Sequence, residues 1–184
     1  LLTNWLECLI TTPLPLGATQ MALADVEQTL EESEFWLRLQ QAPLERLDQI
    51  ARQCLPGERE TLQPQQLTGM LKGFIDLLFC VDGRYYLLDY KSNHLGDGDS
   101  AYSEANMTAA LLAHRYELQG LLYQLALNRL LRLRLPDYDP AIHLGGSLFF
   151  FLRGIHSDSR GLFHLPVRLD LLEQLDALFD GASA

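Results

Sequence analysis

The sequence predicts an α/β domain, a small mixed sheet that contains a β-hairpin and is flanked by helices. Three stretches carry that prediction. Residues 71–91, LKGFIDLLFCVDGRYYLLDYK, hold two runs rich in aromatic and branched residues on either side of the turn signal Asp82-Gly83. Residues 106–135 are strongly helical in composition up to Pro136. GSLFFFLRG, residues 146–154, is the continuous apolar run of a strand buried on both faces.

The elements follow in order. Residues 1–10 look like the end of a helix, and TTPLPLGATQ after them is a Pro- and Gly-containing loop. A strand is expected around residues 35–39, with Glu34 at its start. LERLDQIARQCL repeats apolar residues at Leu44, Leu47, Ile50 and Leu55, a short amphipathic helix that Pro56-Gly57 ends. ETLQPQQLTG is a polar connection into the hairpin. After Lys91, LGDGDSAYSEANM carries Asp97, Asp99 and Glu104 in a solvated loop long enough to be mobile, and it does not meet the EF-hand spacing. The helical stretch divides near Ala113-His114. Arg129, Arg132 and Arg134 fall at its end, where the helix dipole favours cations. His143 belongs to the loop before the apolar strand and reads as a loop histidine rather than a ligand. LPVRLDLLEQLDALFDG is a closing amphipathic helix stopped at Gly181.

At 184 residues the chain fits one domain, residues 1–184, and it shows no internal repeat. Hydrophobic residues make up 48% and mean hydropathy is −0.01, which suits a soluble globular protein, and no run reaches a membrane span. The start LLTNWLECLI has neither an initiator Met nor a basic n-region, so the chain reads as a piece of a longer protein. Cys8, Cys54 and Cys80 are too few and too far apart for a disulfide framework or a zinc site, and are expected as buried apolar fillers in a reducing compartment. The net charge of −10 argues against a free-standing nucleic-acid binder, since phosphate affinity comes from Lys and Arg.

The hairpin also holds the candidate chemistry. With Asp82 and Gly83 central in a type I′ turn, residues 81 and 84, 80 and 85, and 79 and 86 pair, and the register continues to place Asp76 opposite Asp89. Asp89 and Lys91 share one face by the period of two. Like charges directly opposite each other destabilise a sheet. A hard divalent cation would remove that cost, because it takes carboxylate oxygens and water, and a lysine beside it can help activate water or neutralise a phosphate. Spacing alone also fits two surface acids on an edge hairpin with Lys91 as their salt-bridge partner. Gln119 and Tyr123, four residues apart, stack on one helical face with Tyr116 close to the same stripe. By themselves they read as a boundary residue and a core aromatic.

GFIDLLF followed by YYLLDYKSN resembles the nuclease motifs of the PD-(D/E)XK superfamily. The likeness is closer to one branch, the C-terminal nuclease domains of the RecB family of exonuclease V beta subunits. It runs from about Met70 to Gly154 through MLKGFIDLLF, GRYYLLDYKSN, LG, AHRY, LQ, LY, LAL, DYD, GG and FLRG. The resemblance implies a restriction-endonuclease-like core and a metal-dependent exodeoxyribonuclease acting in double-strand break repair and recombination. It implies catalytic Asp76, Asp89 and Lys91, with Mg²⁺ (or Mn²⁺) held by Asp76, Asp89 and the backbone carbonyl of Tyr90. Gln119 and Tyr123 match its QxxxY motif and would orient DNA or the groups behind the centre. Implied partners are single-stranded DNA ends delivered by a helicase, and RecC-like and RecD-like subunits, in the bacterial cytoplasm with no membrane.

The family's upstream histidine, a further metal ligand in a helix with a glutamate a few residues on, has no counterpart before His94. It would lie N-terminal to Leu1, and Glu34 is a candidate to approach the metal in its place. No G-x-x-x-x-G-K-[ST] occurs, so no nucleotide site is expected here, and three cysteines cannot hold a four-cysteine iron–sulfur cluster. Two other readings remain open. One is a nuclease-fold module that has lost activity and serves as a docking surface. The other is a free-standing exonuclease of the same fold.

Overall fold

The computed structural model describes residues 2–16 and 19–181. In chain order its elements are α1 (Leu2–Thr11), β1 (Pro13–Leu16), β2 (Thr19–Ala22), β3 (Gln28–Pro43), α2 (Leu44–Cys54), β4 (Gln66–Val81) and β5 (Arg84–Lys91). Then come α3 (Glu104–Ala113), α4 (Tyr116–Arg134), the single-turn α5 (Pro140–His143), β6 (Leu144–Phe151), β7 (Leu162–Leu165) and α6 (Leu169–Phe179).

The central hairpin closes as its turn dictates. Asp82 and Gly83 both take positive φ, 51° and 77°, as a type I′ turn requires. Pairing then runs Val81↔Arg84, Cys80↔Tyr85 and Phe79↔Tyr86, out to Leu77↔Leu88. Around this hairpin the sheet has the order β3-β4-β5-β6-β7. Only β5 and β6 are parallel, joined by the crossover through α3 and α4, and the other pairs are antiparallel. This is a mixed five-stranded sheet flanked by helices, the restriction-endonuclease-like α/β core.

Both faces of the middle of the sheet are covered, which is why β6 is buried at every position. Phe149 and Phe151 pack toward α3 with Met107 and Leu111, while Leu148 and Phe150 pack with Leu9, Leu14 and Leu16 of the N-terminal segment. The main core lies between β3–β4–β5 and the helices α2, α4 and α6, around Leu37, Ile50, Leu87, Leu121, Leu125 and Leu175. The sheet is not covered everywhere. β3 and β4 are each 16 residues long, but β4 pairs with β5 only from Leu77 onward. The rest of β4, back to Gln66, pairs with β3 alone. The sheet therefore forks at Asp76, and the β3–β4 pair continues beyond it as a two-stranded ribbon.

A buried charge cluster sets the angle between α3 and α4. Arg115 takes φ 58° at the break, where the sequence predicted one. Its guanidinium holds Asp48 of α2 at 2.5 Å and Glu117 at 2.8 Å, and donates to the carbonyl of Glu60 at 3.2 Å. Glu117 also meets Arg59 at 2.7 Å with both side chains fully buried. The connection after α2 is thus tied to the start of α4.

Several expectations change. The expected loop TTPLPLGATQ contains β1 and part of β2, which form a separate two-stranded sheet. β3 extends well beyond residues 35–39, so Glu34 lies inside the strand opposite Phe74. β7, only four residues long, had no distinct signal. The acidic loop is anchored by buried Tyr102, whose hydroxyl donates to the Asn93 carbonyl at 3.2 Å. Cys8 is exposed, and Cys54 and Cys80 are only partly buried, so none is the fully buried filler expected, although burial pushes the Cys54 thiol up to about 11. Arg129 and Arg132 bind Asp176 of α6 at 2.6 and 3.2 Å, a pairing more specific than the helix dipole.

Replacing Glu117 by Gln leaves the buried guanidinium of Arg59 without its counter-charge. We expect Glu117→Gln to cost about 3 kcal/mol and to lower the thermal midpoint by roughly 6–12 °C in calorimetry.

Candidate active site

At the fork, the backbone of β5 has lost its partner strand on one side. The N–H of Tyr90 instead donates to the Asp76 carboxylate, at 2.9 Å to Oδ2. Asp76 therefore stands across from residues 89–90 as the register predicts, but as a side-chain cap rather than a ladder pair. Within an extended strand the N–H and C=O of one residue point to the same edge. The carbonyl of Tyr90 consequently opens into the same fork as Asp76.

Asp89 and Lys91 face α4, as period two along β5 requires. Both are nearly inaccessible, 5% and 7% exposed. One amide organises them. Gln119 Oε1 accepts from Lys91 Nζ at 2.8 Å, and its Nε2 donates to Asp89 Oδ1 at 3.0 Å and to the Tyr123 hydroxyl at 2.7 Å. Lys91 also forms an ion pair with Asp89 Oδ2. Its ammonium lies 3.5 Å from the centre of the Tyr116 ring, which is itself stacked on Phe149. The break at Arg115 puts Tyr116 and Gln119 in reach of Lys91.

The electrostatics follow from burial. Desolvation pushes the Asp89 carboxyl above the ordinary carboxylate range, against the pull of Lys91, and the charge of Asp76 adds to the rise. Burial pushes the Tyr123 phenol up to about 12, with the Gln119 hydrogen bond opposing and the Asp89 charge adding.

Asp76 and Tyr90 also line an open cleft with Glu31 and Glu32 of β3, and Ile10 of α1 borders it. Sequence reading passed over Glu31 and Glu32 in favour of Glu34. Glu34 is committed elsewhere, to Lys72 at 2.9 Å and to the Trp36 indole N–H at 2.6 Å, on the exposed side of the ribbon. Glu32 takes a positive φ, 47°, between the ladder pairs Glu31↔Leu77 and Ser33↔Ile75 that bracket Asp76, a backbone feature that the sequence does not announce. His143 does not approach this region. Its ring contacts Tyr138 and its Nδ1 lies 3.0 Å from the Asp139 amide.

The donor set suits a hard cation. Asp89 Oδ2 is buried and, despite its ion contact with Lys91, accepts no well-directed hydrogen bond. Two carboxylates and a carbonyl are the all-oxygen ligands that Mg²⁺ accepts while keeping several waters. Among the described residues no group of three His, Cys, Asp or Glu side chains is gathered for a metal, so water and phosphate oxygens would have to complete a shell here.

No protein-family model matches the chain. Curated relatives do. The chain is 40% identical over 185 residues to the RecBCD enzyme subunit RecB of Escherichia coli (strain K12), covering 98% of this chain and 16% of that protein. It is 36% identical over 184 residues to RecB of Haemophilus influenzae, covering 97% of this chain and 15% of the relative. To RecB of Mycobacterium tuberculosis (strain ATCC 25618 / H37Rv) it is 48% identical over 95 residues, 51% of this chain and 9% of the relative.

The raised pKa of Asp89 fixes the sign of a pH effect in metal-free protein. Folding favours its protonated form, so that contribution to stability is complete below the ordinary carboxylate pKa and is lost as pH rises through the raised value. Asp89→Asn removes this slope. It also leaves the buried Lys91 ammonium without its counter-charge, so in urea unfolding with EDTA the variant should be less stable than the parent at pH 7, with a flatter pH dependence, while calorimetric Mg²⁺ or Mn²⁺ affinity falls at least about tenfold.

Proposed function

Because the chain belongs to the RecB family, matching RecBCD enzyme subunits over nearly all its own length but about a sixth of theirs, we propose that it is the metal-dependent DNA nuclease domain of such a subunit. The observation that carries this reading is the pair Asp89 and Lys91, buried side by side and bridged by one glutamine at the point where the sheet forks beside Asp76. Burying an acid and an amine costs several kcal/mol per ion unless geometry and hydrogen bonds offset it. A module used only for docking has no evident need of that arrangement.

Asp76, Asp89 and the Tyr90 carbonyl would hold the metal. Bound there, Mg²⁺ or Mn²⁺ supplies Lewis acidity at the scissile phosphate and lowers the pKa of a coordinated water. The residues of the chain do the positioning. Gln119 presents opposite ends of its amide to Lys91 and Asp89, so both are held in register by one planar group. The Lys91 ammonium would stand beside the phosphate, where negative charge develops. Tyr116 covers its ammonium, which keeps water away from one side. Tyr123, neutral up to about 12, accepts from Gln119 and so fixes the amide orientation.

In this reading the substrate is DNA, presented as single strands by the helicase parts of the parent subunit. RecC-like and RecD-like subunits complete the assembly in the bacterial cytoplasm, with roles in double-strand break repair and recombination. Delivery by other parts is compatible with the net charge of −10, since this domain then need not capture DNA unaided.

The test uses the intact protein that contains this chain. Asp89→Ala and Lys91→Ala are each expected to lower Mg²⁺-dependent release of nucleotides from labelled single-stranded DNA by roughly 100-fold or more. Gln119→Leu should lower kcat about tenfold with little change in KM, as expected for a group that orients the centre without touching substrate. Unchanged degradation by Asp89→Ala would remove the nuclease assignment.

A further inference from the structure

The ribbon that leaves the five-stranded sheet at the fork has one face packed and one face bare. Phe35, Leu37, Leu39 and Leu71 turn inward to the helices. The alternate positions turn out, and three of them are large and apolar. Trp36 is 54% exposed, Phe74 50% and Met70 56%. Strand register sets Trp36 opposite Lys72, Phe74 opposite Glu34 and Met70 opposite Arg38. The Lys72 ammonium sits 5.0 Å from the centre of each of the two rings.

We propose that this face, Trp36, Phe74, Lys72, Met70 and Arg38, is a stacking track for single-stranded DNA leading to the fork at Asp76. The inference rests on the nuclease reading above and adds the path by which substrate reaches that centre. Three observations favour a nucleic-acid occupant. The first is continuity, because the stripe begins at Phe74, two residues from Asp76, and runs about 13 Å outward to Met70 at the rise of a β-strand. The second is charge. The chain has only two lysines in a sequence of net charge −10. One is Lys91 in the candidate centre, and the other, Lys72, stands between the exposed rings.

The third is spacing. Trp36 and Phe74 are diagonal neighbours across the strand pair, about 7 Å apart at Cβ, close to the step of one extended nucleotide. Single-strand binders combine aromatic rings, on which any base stacks, with cations along the backbone. Lysine is depleted at protein–protein interfaces, whereas here one is held over two exposed rings. Glu34 pairs with Lys72 at 2.9 Å, and a phosphate would compete for the same ammonium.

The test reads binding rather than cleavage. Intact protein in EDTA is photo-crosslinked to single-stranded oligonucleotides carrying 5-iodouracil, and the attachment sites are mapped by mass spectrometry. Crosslinks are expected at Trp36 or Phe74. Trp36→Leu and Phe74→Leu keep an apolar strand residue but remove the ring. Each should cut crosslinking about tenfold without lowering the thermal midpoint, Lys72→Gln should weaken binding and flatten its salt dependence, and Glu34→Gln should strengthen it. Crosslinks confined to residues outside 34–38 and 70–74, or Leu variants that crosslink like the parent, would overturn the track. So would chemical crosslinks from Lys72 to another polypeptide that persist in the Leu variants. Failure of the nuclease reading has a separate signature, unchanged hydrolysis by Asp89→Ala, and the crosslinks decide the track whichever way that result falls.

Discussion

The fork between β4 and β5 is the constraint on which the rest depends. A strand with a neighbour on each side uses its backbone N–H and C=O groups in the ladder and has none to offer a ligand. β5 loses its β4 partner after Leu88 while keeping β6 on the other side through Lys91. One edge of residues 89–91 is therefore both rigid and available. Asp76 satisfies the Tyr90 N–H there with its side chain, and the Tyr90 carbonyl is left facing the opening. The same divergence frees the β3–β4 ribbon from the sheet and exposes its aromatic face.

The helices make the fork usable. Asp89 and Lys91 would be expensive to bury if each had only the other, but Gln119 bonds to both and passes the connection on to Tyr123. Gln119 reaches them because α4 begins where it does. That start is fixed by Arg115, in the left-handed region, clamped to Asp48 and Glu117. A buried ion cluster remote from the acids thus determines whether the amide and the Tyr116 ring meet Lys91. Gly120 next to Gln119 contributes by its lack of a side chain, since a Cβ there would come within 2.9 Å of Leu165 and 3.1 Å of Phe149.

Much of this was legible because the signals were local. The Asp-Gly turn sets pairing partners by geometry alone, and the register followed to Leu77↔Leu88. Periodicity found α2 and α6, and an unbroken apolar run marked β6 as the strand covered on both faces. What escaped was short or mixed in pattern. β1, β2 and β7 have four residues each, too few for a period to show. The N-terminal part of β3 carries Glu31, Glu32 and Glu34, a composition that hides a strand whose outer face is open to water. The same misreading placed Glu34, rather than Glu31 and Glu32, beside the candidate metal ligands.

By itself the sequence determined the α/β class, the hairpin register, the candidate residues Asp76, Asp89, Lys91, Gln119 and Tyr123, and the likeness to RecB nuclease domains, because each is written in neighbouring residues. Only the tertiary structure decided that the ladder stops at Leu77↔Leu88, that one glutamine bridges Asp89 and Lys91, and that the ribbon's aromatic face stays bare. Those outcomes depend on which surfaces α1, α4 and the N-terminal strands come to cover. Coverage is set by packing between segments far apart in the chain, and no local pattern encodes it.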